Sequence, residues 1–428
     1  MRVLVTGATG FIGGHVIAAL QRAGHEVTAV ARSPASLSRQ YRALNVVTGD
    51  FSHDHAANDW LARLRGMDAV VNCVGIIRES RGQRFDALHR DAPIALFRAC
   101  EQAGIKKVVQ ISALGADETA ISHYHVSKKA ADDALAAMAL PWVILQPSIV
   151  YGPGAKSSDL FRALAALPVI PLVADGQQSV QPVHVDDLVA MVMRALESEA
   201  LNHKRMTVAG PAPISMKALL EGWRNWLGLG RARFLSVPYS IALTGAQLCS
   251  VLGATAVNPD AIRMLARGNT GDVAPMRSAL GREPVSFAEA LQNTPAQQAD
   301  LWHARLYFLL PLLRISLALL WIVTGLISAF AYPVAQSYAL LAPLGIEGWM
   351  APLALYGAAA LDGALGVALL WRWQVVWVGA AQITMIITYS ILITIGVPEY
   401  WLHPFGPITK NIPLVVATLI VMATEAKS

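Results

Sequence analysis

Tyr124 and Lys128 form a Tyr-x-x-x-Lys pattern, which on a helix puts both side chains on one face, a turn apart. An ammonium so placed lowers the pKa of a phenol. The phenol can then give or take a proton at a carbonyl oxygen while a hydride moves at the carbon. Ser112, upstream at the end of an apolar run, is positioned to hold that same oxygen.

Such a hydride needs a carrier, and the N-terminus holds a loop for one. Thr6-Gly7-Ala8-Thr9-Gly10-Phe11-Ile12-Gly13 falls between the first predicted strand and the first predicted helix, the context that a dinucleotide loop requires. Gly7 permits the tight turn, Gly10 lets backbone amides approach a pyrophosphate, and Gly13 lets helix and strand pack closely. The helix N-terminus adds partial positive charge, and Thr9, Phe11 and Ile12 complete the cradle. Where NAD-binding folds usually end the second strand on a carboxylate, this chain has Ala31-Arg32-Ser33. Arg32 can pair bidentately with a 2′-phosphate, so NADP(H) is expected over NAD(H); a plain solvated arginine is the alternative. Gly49-Asp50-Phe51, after the third strand, either flanks the adenine, with Asp50 accepting from its amino group, or is a plain turn.

To place these residues the chain must alternate strands and helices, and up to about Leu291 it does. Val3–Thr6, Val27–Val30, Ala69–Asn72, Val108–Ile111 and Trp142–Leu145 read as buried strands, with helices such as Ile12–Ala23 and Pro93–Ala103 between them. The expectation is an α/β fold with a doubly wound parallel Rossmann sheet. From Met206 the strand signals thin, and Leu219–Leu227 and Ser236–Leu252 read as helices of a small cap, about residues 206–291. Residues 292–304 read as a polar linker. In His184-Val-Asp186-Asp187, Asp186 is expected to cap a helix. Arg78, Arg81 and Arg84 follow the fourth strand and either select an anionic substrate or are solvated loop charges.

The loop Thr6–Gly13, the run Val108-Val-Gln-Ile-Ser112-Ala-Leu-Gly-Ala, the pair Tyr124-His-Val-Ser-Lys128 and Pro147-Ser-Ile-Val-Tyr151-Gly-Pro-Gly154 resemble extended short-chain dehydrogenase/reductases. Within that superfamily the chain is most similar to the atypical branch that includes the NDUFA-nine-like proteins, relatives of a respiratory complex I accessory subunit. The resemblance implies Ser112, Tyr124 and Lys128 as the acid/base group, Lys128 also on the nicotinamide ribose, and Pro147, Ile149 and Val150 beside the nicotinamide. One stretch departs from the pattern. Asn72-Cys73-Val74-Gly75 replaces a small Ala-rich turn, which keeps Gly75 near the cofactor and changes the pocket beside it.

The 428 residues are 54% hydrophobic with a mean hydropathy of +0.44, and only 15% are charged. Soluble domains carry about 25% charged residues, so part of this chain lives in lipid. The net charge of +5 is scattered without a basic run, which argues against nucleic acid as a partner. Cys73, Cys100 and Cys249 have neither the spacing of a metal site nor that of a disulfide framework, as suits a reducing cytoplasm. Met1-Arg-Val-Leu-Val-Thr enters a strand directly, and no signal peptide is expected.

Leu306–Phe330, Met350–Trp371, Val375–Ile395 and the shorter Ile412–Ala423 read as membrane spans, giving an all-α four-helix domain over 305–428. Arg305, Arg372 and Lys427 put both termini, and the nucleotide domain, in the cytoplasm of a bacterial-type inner membrane; Lys410 dissents. Arg314 and Asp362 sit inside the spans, where they are expected to pair or to snorkel. His403-Pro-Phe-Gly-Pro-Ile-Thr-Lys410-Asn411, with Arg314, resembles the DoxX-like family of integral membrane proteins. These readings converge on a membrane-bound NADPH-dependent oxidoreductase that acts on a lipid-soluble carbonyl or a quinone-like acceptor. The alternatives are a nucleotide-binding sensor or assembly factor with a membrane-protein partner, and an NAD(P)-dependent epimerase/dehydratase.

Overall fold

The computed structural model describes residues 1–34, 37, 44–80, 82–251 and 259–425. Arg81, Leu252 and Lys427 lie outside the described residues. The chain divides into two compact units, Met1–Ala304 and Arg305–Ser428.

In the first unit the apolar runs become the strands β1 (Arg2–Thr6), β2 (Glu26–Ala31), β3 (Asn45–Thr48), β4 (Ala69–Asn72), β5 (Lys107–Ile111) and β6 (Trp142–Pro147). The strands nearest the centre are buried almost throughout, as a sheet covered on both faces requires. One face is covered by α1 (Phe11–Arg22) together with Val185–Glu197 and Ala274–Leu280. The other is covered by α2 (Ala57–Leu64), α3 (Ala92–Gln102) and α4 (His123–Ala136). Seven parallel strands run in the order Lys204–Val208, β6, β5, β4, β1, β2, β3. The order reverses between β1 and β4, whose register sets Thr6 against Asn72. That is the topological switch point, where ligands of doubly wound sheets bind.

The strand Lys204–Val208 corrects the expected start of the cap. Met206 belongs to this edge strand, and the exposed Lys204 and Arg205 conceal its strand character. The cap is instead built around Tyr151, Ile170, Leu219, Trp223 and Phe287, which pack as one apolar cluster. Ser236 and Val237, expected as the start of a helix, instead end a strand: Phe234–Val237 pairs in parallel with Ile170–Val173. Pro238 explains the boundary, because the residue before a proline is driven to extended backbone and the helix Tyr239–Val251 starts only after it. In the interval expected as a linker, Gln298–Leu306 is helical, and Asp300 pairs with Arg162 at 2.8 Å. His184, not Asp186, caps Val185–Glu197; its imidazole accepts from the Asp186 amide at 3.3 Å. Asp187 is fully buried and accepts from Arg282 at 2.6 Å and from the Val285 amide at 2.8 Å.

The second unit is helical. Among the described residues three helices are long and apolar enough to cross a membrane: the one ending at Ala331, Met350–Leu370 and Val375–Gly396. Asn411–Glu425, at 15 residues, would be about 22 Å long at 1.5 Å per residue, short of a roughly 30 Å hydrocarbon core. Close approach is arranged by small residues. A Cβ at Gly325 would stand 2.6 Å from the Ala359 carbonyl, and one at Gly366 2.8 Å from the Ala318 carbonyl. Arg314 does not pair with Asp362. Its Nε lies 3.0 Å from Glu425, and its Nη1 donates to the carbonyls of Leu369 at 3.2 Å and Leu370 at 2.8 Å. Arg372 also reaches Glu425, at 3.0 Å. The cause is position: Arg314 meets the end of Met350–Leu370, whereas Asp362 lies deeper along that helix, beside Gly325.

Candidate functional site

The glycine loop follows β1 at the switch point, and each glycine is needed for a different reason. Gly7 has φ +70, and a Cβ there would lie 2.7 Å from the Cys73 carbonyl oxygen and 2.9 Å from the Val74 amide. A Cβ at Gly13 would lie 2.2 Å from the Gly7 carbonyl, so only glycine lets helix and loop close. Gly10 is extended, at φ −84, and exposed, and its would-be Cβ meets only the Gly7 carbonyl at 3.0 Å. As the helix N-cap it brings no side chain to the first turn. The result is an open cradle at a helix N-terminus, which fits a pyrophosphate. Thr9 is exposed beside it, while Phe11 and Ile12 are half-buried against the sheet core. The loop after β6 comes over this end: His15 Nε2 is 3.2 Å from the Pro153 carbonyl, and Gly154 sits against the Phe11 ring.

Arg32 is exposed at the carboxyl end of β2, free of the sheet core. Asp50 closes a turn, accepting from the Ser52 amide at 2.9 Å and facing His53 Nδ1 at 3.3 Å. Partial burial pushes its carboxyl up, but those hydrogen bonds prevail and hold it below the usual range. The Phe51 side chain turns from there into the core. It is buried edge-on against Trp60, with ring centroids 5.1 Å apart, because the residue after the Asp50 turn faces the core.

Tyr124 and Lys128 lie on α4, which Ser122 caps by accepting from the His125 amide. Lys128 Nζ lies 5.9 Å from the centre of the Tyr124 ring and donates to the Ile111 carbonyl at 3.1 Å. Gly75 makes room for it, since a Cβ there would stand 3.4 Å from that nitrogen. Burial lowers the Lys128 ammonium to about 8, opposed by the attraction of Asp132. Burial also raises the Cys73 thiol to about 12, so it is inert rather than nucleophilic.

Two expectations for the acid/base group change here. The phenol of Tyr124 is pushed up, first by burial and then by the charge of Asp132, and not down by Lys128. Ser112 is buried, and its hydroxyl donates to Asp132 rather than being offered to a substrate oxygen. Asp132 continues the Tyr124–Lys128 face by one more turn, a signal present in the sequence as Tyr-x-x-x-Lys-x-x-x-Asp. Its second carboxylate oxygen is buried with no partner. His89, also unforeseen, props the same helix: Nε2 accepts from the Ile76 amide at 3.0 Å, so Nδ1 donates to Ser127 at 3.1 Å. Ser127 in turn donates to the Tyr124 carbonyl at 2.9 Å. Burial, with the nearby Lys128, holds His89 down at about 2, so it stays neutral.

Asp132 gives the fold a pH signature. Burial raises its carboxyl from 3.8 to about 6, against the pull of Ser112 and Lys128. The folded chain therefore keeps a proton that the unfolded chain has released. That stabilisation is complete below about pH 3.8 and is lost as pH rises towards 6. Asp132→Asn should be insensitive to this interval. In thermal melts its advantage over the parent should grow between pH 4 and 6 and then level off, and parallel curves would remove Asp132 from the account.

Around this centre, Ile149 N donates to Asn269 at 3.1 Å, Ser148 donates to the Gln181 carbonyl, and Leu114 N donates to the Pro147 carbonyl at 2.9 Å. These bonds fix Pro147–Val150 at the carboxyl end of β6. Arg267 clamps the chain that leads to Tyr124, donating to the Gly115 carbonyl at 2.9 Å and to both oxygens of Asp117 at 2.7 and 2.6 Å. Arg84 is exposed and Arg78 half-buried in the loop after β4. The cap bears an apolar groove of about 560 Å³ lined by residues such as Pro182, Trp226 and Leu291; neither Tyr124 nor Lys128 borders it.

Residues 3–210 match the NAD dependent epimerase/dehydratase family, and residues 318–419 match the DoxX-like family. The chain is 28% identical over 248 residues to a ceramide reductase of Caulobacter vibrioides, which covers 58% of this chain and 76% of that one. It is 27% identical over 250 residues to the mitochondrial NADH dehydrogenase (ubiquinone) 1 alpha subcomplex subunit 9 of Arabidopsis thaliana, covering 56% of this chain and 60% of the relative. In fold it is similar to a UDP-glucuronic acid 4-epimerase from Bacillus cereus solved with UDP-glucuronic acid and NAD, at 19% identity and a TM-score of 0.52 over 71% of this chain and 99% of that one. The chain thus joins an NAD-binding Rossmann domain of the epimerase and short-chain dehydrogenase kind, with complex I NDUFA-nine-like homologues, to a DoxX-like, membrane-associated helical domain.

Proposed function

We propose that this protein is an NADPH-dependent reductase of a bacterial-type inner membrane, with its nucleotide domain in the cytoplasm, that reduces the carbonyl of a lipid-soluble substrate. The observation that carries this reading is the Tyr124–Lys128 pair, packed beside Gly75 at the switch point whose other strand leads into the glycine cradle. Gly7, Gly10 and Gly13 would hold the pyrophosphate, Arg32 the 2′-phosphate, and Lys128 the nicotinamide ribose. Bound reduced nicotinamide supplies the hydride for the carbonyl carbon. Tyr124, whose phenol is held protonated, gives its proton to the carbonyl oxygen, so the product is an alcohol. A raised phenol suits an acid, and hence reduction, better than a base. Support for a lipid substrate comes from the helices able to cross a membrane in the same chain and from the relative named as a ceramide reductase.

The test is a screen of the full-length protein in detergent against long-chain ketones, keto-lipids and quinones, with NADPH and NADH compared. NADPH oxidation coupled to one of these classes is expected, with Arg32→Ala weakening NADPH about tenfold or more and NADH little. The commitment of Ser112 to Asp132 favours a second reading, a nucleotide-binding sensor or assembly factor. It predicts thermal stabilisation by NADPH and no turnover across the whole panel.

A further inference from the structure

From Phe234 to Pro259 the chain carries no charged residue, and Arg231 and Arg233 stand immediately before this run. Its first part is the strand Phe234–Val237, paired with Ile170–Val173 so that Phe234 lies opposite Ile170 and Leu235 opposite Pro171. Side chains alternate across such a pair. Phe234, Ile170 and Leu172 point into the cap core, which leaves Val169, Pro171, Arg233 and Leu235 on the outer face. Val169 is 46% exposed and Leu235 57%, and the adjoining helix adds Tyr239 at 38% and Ile241 at 62%. Exposed apolar side chains gathered on two paired strands and the helix that follows, with an arginine edge and no acid in the run, differ from the singly scattered apolar residues of an ordinary solvated surface.

We propose that this face, the outer side of Val169–Pro171 and Leu235–Ile241, lies in the interfacial layer of an anionic lipid bilayer. Two features of this stretch and one of the chain as a whole select that partner. The apolar side chains can enter the headgroup boundary, and Tyr239 carries both a ring and a hydroxyl that suit it. Arg231 and Arg233 can lay their stems on the apolar face and present guanidinium groups to lipid phosphates. The same chain carries helices able to cross a membrane, so a bilayer is always within its reach. The surface would meet lipid whether or not Tyr124 turns over a substrate, and it stands independently of the reductase reading.

The test uses the full chain in nanodiscs of phosphatidylcholine and phosphatidylglycerol. An environment-sensitive fluorophore is attached at Ile241→Cys in a Cys249→Ala background, and a matched sample carries it at Gln102→Cys, an exposed position at the end of α3. With nitroxide-bearing lipids the probe at 241 should lose most of its emission, the probe at 102 should lose none, and Arg231→Glu with Arg233→Glu should restore much of the loss at 241. Equal emission at the two sites would overturn the proposal. So would a blue-shifted but unquenched probe at 241, because the face would then be covered by protein instead of lipid.

Discussion

Tyr124→Phe should lower the turnover of NADPH with a lipid ketone by about 10²- to 10⁴-fold, the usual contribution of a positioned general acid. Nucleotide affinity should stay within about twofold of the parent, because the lost hydroxyl acts on the reacting oxygen and not on the cofactor. The ring itself packs edge-on to Phe85, His89 and His125, so phenylalanine keeps the aromatic contacts and the fold. The expected signature is a collapse in kcat with an unchanged binding isotherm, read by steady-state kinetics and calorimetry on one preparation. A variant as fast as the parent would assign the proton to another group and leave Tyr124 a packing residue.

The second large effect belongs to the helical unit. Arg314, Arg372 and Glu425 form a charge cluster in which the side chains of Arg314 and Glu425 are 11% and 9% exposed. Removing one member of a buried pair commonly costs about 3–5 kcal/mol, because the remaining charge is stranded. Arg314→Leu also deletes the bonds to the Leu369 and Leu370 carbonyls, so it should approach that range, seen as a lower unfolding temperature of the detergent-solubilised protein. Arg372→Ala should cost much less, because its side chain is half exposed and its bond to Glu425 is screened by water. Equal and small shifts for the two would mean that the cluster is not holding the helices together.

The sequence announces the strands at the centre of the sheet and the glycine loop because their signals are local. A buried parallel strand is an apolar run, and a cradle needs glycine at fixed spacing after it. What could not be read locally was the choice of partner. Nothing near Ser112 says that its hydroxyl turns to Asp132, since the contact depends on how α4 lies across β5. Arg314 is a bare charge in an apolar run, and whether Asp362 or Glu425 answers it depends on which helix ends meet. The edge strand Lys204–Val208 hid behind Lys204 and Arg205 because an edge strand exposes what a central strand cannot. Asp132 and Pro238 are different: one more turn of the Tyr124–Lys128 face, and the rule that extended backbone precedes proline, were in plain sight.

Gly10 offers the most direct test of a chain built to hold a dinucleotide, because a side chain there disturbs little else. Its backbone is extended and exposed, and an added Cβ would touch only the Gly7 carbonyl at 3.0 Å. Calorimetric titration of NADPH into Gly10→Leu, with a thermal melt alongside, should find the fold kept and affinity reduced by about a hundredfold or more, the loss of roughly 3 kcal/mol of phosphate contact. Unchanged affinity in a folded Gly10→Leu protein would contradict the account at its root, since the cradle would then not be where the pyrophosphate sits.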